Sequence, residues 1–180
     1  MAATAMGVSL AEYLRTAYHP DLEYINGELK EKPMPTLLHG IVQMILGSWF
    51  LSHRKEWGIL VAGDTRTQVD ESHVRLPDVV VVRRGEGARG TLVKPPLVAI
   101  EILSPTDSYT DLRERASDLR AMGTENIWLL DPERRTAEVW TGKNWQPVEG
   151  NKLQAVNAPV FVDLDWFWAE VDGEIDDREP

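Results

Sequence analysis

The sequence predicts an α/β fold in which one mixed β-sheet is flanked by helices. Three observations carry this: short β-branched runs fill the middle of the chain, a long apolar helical segment precedes them, and a second amphipathic segment interrupts them. A chain of 180 residues without an internal repeat is long enough for one domain with a substantial core.

Ser9 with Glu12 three residues on has the form of a capping box. It opens a short helix running to about Tyr18, where His19-Pro20 stops it. Asn26-Gly27 between LEYI and ELKE marks a two-residue hairpin turn, because both positions accept positive φ. A helix from about Thr36 to Lys55 follows, and Leu37, Ile41, Met44, Ile45, Trp49 and Leu51 supply the apolar surface expected to cover a sheet face. GILVAG, TRTQV, LPDVVVV and LVAIEIL then read as central strands. A second long helix spans Asp107 to Met122 and ends at Gly123, before NIWLLD returns as a buried strand. AEVW, the turn TGKN and WQPV form a hairpin, and DLDWFWAE closes the domain as an amphipathic turn or helix. Residues 1–171 are expected to form this domain, and 172–180 a flexible acidic tail.

Composition narrows the chemistry. With no cysteine in the chain, disulfides, thiolate zinc sites and cysteine nucleophiles are excluded. No apolar stretch reaches the roughly 18 residues of a membrane span, and the first residues carry no basic-then-hydrophobic leader, so the expectation is a cytoplasmic protein without a membrane partner. The net charge of −10 argues against a broadly basic nucleic-acid surface, but the acidity is unevenly spread. Residues 1–135 hold 16 Lys and Arg against 19 Asp and Glu, whereas 136–180 hold 3 against 10. The four histidines, at 19, 39, 53 and 73, are too scattered for a zinc motif. GEGARG lacks the lysine and strand-to-helix setting of a phosphate-binding loop and reads as a surface loop. Most tryptophans sit in apolar runs and belong to the core, with Trp145 beside TGKN the expected exposed exception.

Two carboxylates interrupt otherwise apolar strands, Asp78 in LPDVVVV and Glu101 in LVAIEIL. Each is costly unless paired, solvated or bound to a cation. If the two strands form an antiparallel hairpin with Val82 opposite Leu97, cross-strand partners sum to 179. Asp78 and Glu101 then face each other at roughly 5 Å between Cβ atoms. Hard oxygen ligands without cysteine suit Mg2+ or Mn2+, and such a cation suits phosphodiester hydrolysis. The alternative is that each carboxylate forms a structural ion pair with an arginine such as Arg75 or Arg115. Arg115 itself lies on the inward helical stripe Leu112, Arg115, Leu119 and Met122. It reaches either a metal-bound phosphate or its helical neighbours Asp111 and Asp118.

LEYINGEL at 22–29, His39 after a proline-containing loop, Pro77-Asp78 before VVVV, EILSPTD at 101–107 and Gly123 followed by NIWLLDP occur in one order. Together they resemble the Uma-type restriction endonucleases, a branch of the PD-(D/E)XK nuclease superfamily, over most of the chain. The resemblance implies a restriction-endonuclease-like fold, a Mg2+- or Mn2+-dependent endonuclease, DNA as partner and, by analogy with double-strand cutting, a homodimer. It implies that Asp78 and Glu101 are metal ligands with the Ile102 carbonyl as a third. It places Glu23 at the family's early acidic position, as an organising residue or second-metal ligand, and makes His39 an accessory. Leu103 stands where the superfamily carries its lysine. The branch supplies that residue from the following helix, where the matching position here is Arg115, which keeps the charge but cannot act as a base. Leu119 replaces a common aromatic residue. A catalytically impaired nuclease fold that binds nucleic acid or protein is the competing expectation.

Overall fold

The computed structural model describes residues 7–86 and 89–175. The GEGARG segment therefore lies partly outside the described residues, as do 176–180 of the acidic tail.

The first helix, α1, spans Leu10–Arg15, capped by Ser9, whose side chain accepts from the Glu12 N–H. Strands β1 (Leu22–Ile25) and β2 (Glu28–Glu31) form the expected hairpin, with Asn26 and Gly27 at φ 52° and 87°. Helix α2 (Leu37–His53) begins at Thr36, whose side chain accepts from the His39 N–H. Strands β3 (Ile59–Gly63), β4 (Thr67–Gln68), β5 (His73–Arg75), β6 (Val79–Arg83) and β7 (Val98–Ile102) follow. Helix α3 (Tyr109–Met122) starts at the Ser108 cap and ends at Gly123, whose φ of 112° suits a residue without Cβ. The chain finishes with β8 (Asn126–Asp131), β9 (Thr136–Trp140), β10 (Trp145–Pro147), β11 (Lys152–Gln154), β12 (Phe161–Asp163) and α4 (Leu164–Ile175). Helix α4 extends past residue 171, so 172–175 are helical rather than tail.

The strands divide among three sheets instead of one. The mixed sheet has the order β10-β9-β8-β7-β6-β3; β7 runs antiparallel to β6 and parallel to β8. A four-stranded antiparallel sheet, β2-β1-β5-β4, takes up the first hairpin, and β11 pairs with β12. TRTQV thus contributes a short edge strand of the smaller sheet, and GILVAG an edge strand of the larger. On one face of the mixed sheet, Val79, Val81, Val98, Ile100 and Ile102 pack with residues of α2 and α4; on the other, Ala99 packs with Leu112, Ala116 and Leu119 of α3.

Two expectations about burial are corrected. The buried stripe of α2 is His39, Val42, Leu46 and Phe50, while Leu37, Met44 and Leu51 face outward at 83%, 74% and 48% exposure. The helix is apolar on both sides, so hydrophobicity alone does not choose the face; the stripe that packs is the one that brings His39 over the sheet. Trp145 is buried, its ring edge-on to Trp140 with centroids 5.2 Å apart across the β9–β10 hairpin. Among the described residues, no helix is long and apolar enough to cross a membrane.

Candidate metal and catalytic centre

The β6–β7 ladder pairs Val79 with Ile100, Val80 with Ala99 and Val81 with Val98, the register expected from sequence. Continued by one residue, it sets Asp78 against Glu101. Glu101 shares parity with Ala99 and faces α3, whereas Asp78, one residue before β6, is met by His39 of α2. The Ile102 N–H donates to Asp78 Oδ2 at 2.7 Å, which fixes the carboxylate against the β7 backbone. From α2, Gln43 Nε2 donates to the Asp78 carbonyl at 2.8 Å, and His39 Nε2 lies 3.3 Å from Asp78 Oδ2.

The cations around this pair come from both flanks. From α3, Arg115 places its guanidinium 3.5 Å from Glu23 Oε1, 3.5 Å from Asp107 Oδ1 and 3.9 Å from Glu101 Oε2. Its helical neighbours are engaged elsewhere, Asp111 with Lys30 and Asp118 with Arg75. Glu23 is held by Arg75 at 2.8 Å and by the Leu76 N–H at 3.2 Å. It therefore reaches the centre through Arg115, and Arg75 pairs with Glu23 rather than with either strand carboxylate.

Lys32, at the exit of β2, was not singled out by the sequence. Its Nζ lies 2.5 Å from Asp78 Oδ1 and 3.8 Å from Glu101 Oε2, and it donates to the Leu76 carbonyl at 2.6 Å. Nothing in the charged run ELKEKP distinguishes this lysine from its neighbours. The only available signal is the proline-rich PMP segment after it, which keeps the chain extended and close to the sheet. Leu103, at the expected lysine position, instead packs beside the apolar cluster formed by α3 and β8.

Burial and neighbouring charge split the two acids. Burial raises the Asp78 pKa, but Lys32 and the His39 hydrogen bond outweigh it and hold the carboxyl well below the usual range. Burial pushes Glu101 up to about 7, assisted by the Asp78 charge and opposed by Lys32 and Arg115. Lys32 is raised: burial opposes its charge, and Asp78 and Glu101 overcome that opposition. His39 is raised in the same way, the Asp78 hydrogen bond and charge outweighing burial.

The donor set fits a hard cation. Glu101 Oε1 is buried without a hydrogen-bond partner among the described residues, an expensive state for a carboxylate oxygen and an available one for coordination. Among those residues no three His, Asp or Glu side chains converge as a chelating cluster. The groups that could hold such an ion would be few, the two carboxylates and the Ile102 backbone carbonyl, as would suit an ion that retains water. A cleft of about 380 Å³ opens onto the site, lined by Lys32, His39, Asp78, Ile102, Asp107 and Arg115 among others; Glu101 is not one of its lining residues.

The crystal structure of a "putative nuclease belonging to DUF820" from Anabaena variabilis is similar over 91% of this chain and 99% of its own, with a TM-score of 0.74 and 23% identity. That likeness shows a shared fold, the restriction-endonuclease-like mixed sheet flanked by helices. The DrdV–DNA complex is a far more distant match, at TM-score 0.37 and 14% identity over 77% of this chain and 11% of that one, and bears no further argument. No curated protein matches the chain. Residues 10–169 match the model of the Uma2 family, described as "Putative restriction endonuclease", which covers most of the chain. The chain belongs to the Uma2 family.

Proposed function

We propose that this protein is a metal-dependent endonuclease that hydrolyses DNA phosphodiester bonds. The observation that carries the reading is the juxtaposition of Asp78 and Glu101 at the end of the β6–β7 ladder, with Glu101 Oε1 buried and without a hydrogen-bond partner among the described residues and Asp78 lining an open cleft. Membership of the Uma2 family supports the same chemistry. Asp78, Glu101 and the Ile102 carbonyl would hold Mg2+ or Mn2+, and the bound ion would supply Lewis-acid polarisation of the phosphoryl group and a lowered pKa for the attacking water.

The remaining work falls to the chain. Asp78 is aimed by the Ile102 N–H and by His39; Arg115, oriented by Glu23 and Asp107, adds positive charge where the phosphate's negative charge grows. In the reaction the water oxygen bonds to phosphorus as the ester P–O bond breaks. The water gives up a proton to solvent and the departing alkoxide takes one, leaving a phosphomonoester and a hydroxyl end.

The test is cleavage of a supercoiled plasmid and of single-stranded DNA across a Mg2+ and Mn2+ titration, beside Asp78→Ala. Nicked or linear product that needs metal and vanishes in the variant is the expected result. Metal and DNA binding without product would mark the chain as a binding module on a nuclease fold.

A further inference from the structure

We propose that Lys32 is a catalytic residue of this centre, its ammonium making a direct contact to the scissile phosphate. The inference rests on the metal-dependent reading of the Asp78–Glu101 pair and adds a residue from outside the mixed sheet.

Geometry separates Lys32 from the other cation. Arg115 is a fixed charge: its side chain is 3% exposed and faces three carboxylates at 3.5–3.9 Å. Lys32 has 16% of its side chain exposed on the cleft wall, and Nζ carries three N–H groups. One is directed to Asp78 Oδ1 and one to the Leu76 carbonyl, at 2.5 and 2.6 Å. Glu101 Oε2, at 3.8 Å, is beyond hydrogen-bonding distance, so the third N–H has no acceptor among the described residues. An ammonium beside the two acids, anchored by two bonds and with a donor to spare, is a ready-made contact for a phosphoryl oxygen.

The backbone explains why this lysine arrives there. Residue 32 directly follows β2, whose Glu31 pairs with Leu22 at the end of the hairpin. Pro33 and Pro35 then hold the chain extended along the cleft wall. The flexible four-carbon stem lets the charge follow a phosphate by an ångström or two while the backbone stays put. Were Lys32 only a counter-ion for buried Asp78, its loss would alter the acid and leave anion recognition untouched.

The experiment compares wild type, Lys32→Met and Lys32→Arg as full chains in two measurements. The first is calorimetric titration with Mn2+ alone, then with thymidine 3′,5′-bisphosphate in the presence of Ca2+. The second is single-turnover DNA cleavage at saturating Mg2+. Lys32→Met is expected to bind Mn2+ no more weakly than wild type, to bind the bisphosphate at least about tenfold more weakly, and to cleave at least about 100-fold more slowly. Lys32→Arg should recover part of both losses. Unchanged bisphosphate affinity in Lys32→Met, or a matching collapse of Mn2+ affinity, overturns the assignment. If wild type binds the bisphosphate through Lys32 yet never cleaves, the nuclease reading falls while the phosphate contact stands.

Discussion

The Ile102 N–H and the Asp78 carboxylate are joined at 2.7 Å across the β6–β7 boundary, so the ladder that sets strand register also aims the acid. Asp78→Asn keeps an oxygen acceptor for that N–H, removes the charge and replaces the oxygen that accepts from Lys32 with an amide donor. It is expected to weaken Mn2+ binding at least about 100-fold, as far as or beyond the loss of a supporting partner around a metal. Mn2+ calorimetry on the variant checks this, and an affinity within threefold of wild type would remove Asp78 from the ligand set.

Glu23 is engaged by Arg75, Arg115 and the Leu76 N–H, which makes it an organiser of Arg115. Glu23→Ala leaves two buried guanidinium groups short of a carboxylate and should cost about 3 kcal/mol in urea denaturation. Its Mn2+ stoichiometry should equal that of wild type. A drop from two ions to one would instead make Glu23 a ligand.

The metal-free protein should show a pH signature of Glu101. Burial raises its folded pKa to about 7 from an ordinary value of 4.5. The associated stability is fully present below the unfolded pKa and is lost as pH rises through the folded one. Glu101→Gln keeps that position neutral throughout, so its stability relative to wild type should rise between pH 5 and pH 8, by up to about 3 kcal/mol. Urea titrations in chelator at the two pH values measure the difference; a constant offset would contradict the assigned shift.

The two faces of α2 make opposite predictions. Phe50 is fully buried, and Phe50→Ala should cost about 3–5 kcal/mol. Met44 is 74% exposed, and Met44→Ala should stay within about 0.5 kcal/mol of wild type. Thermal and chemical denaturation of both variants decides which stripe packs.

Those faces also show where sequence reading reached its limit. The β6–β7 register was legible because Asp78 and Glu101 break apolar strands and only one pairing brings both to the same place. Turn chemistry located the first hairpin, since Asn26 and Gly27 suit positive φ. The packed face of α2 was not legible, because Leu37 and Met44 are as apolar as Val42 and Leu46, and only the position of the sheet distinguishes them. Lys32 was hidden for a related reason: it looks like one more charge in a polar run until tertiary contact sets it against Asp78. Of the two readings helical spacing left open for Arg115, pairing with its neighbours is not the one seen, because Asp111 and Asp118 are taken by Lys30 and Arg75 from the smaller sheet.

The centre is divided between two sheets: Asp78 and Glu101 belong to the large one, while Glu23 and Lys32 come from or directly follow strands of the small one. Docking of the small sheet therefore brings Lys32 to the paired acids, beside the charge that Arg115 already supplies from α3. Were the first hairpin to swing away, the large sheet would keep its ladder but present two like charges facing each other without their lysine, and Arg115 would lose its Glu23 brace. Local opening and loss of chemistry would then be one event, detectable as faster amide exchange in β1 and β2 while β7 and β8 stay protected.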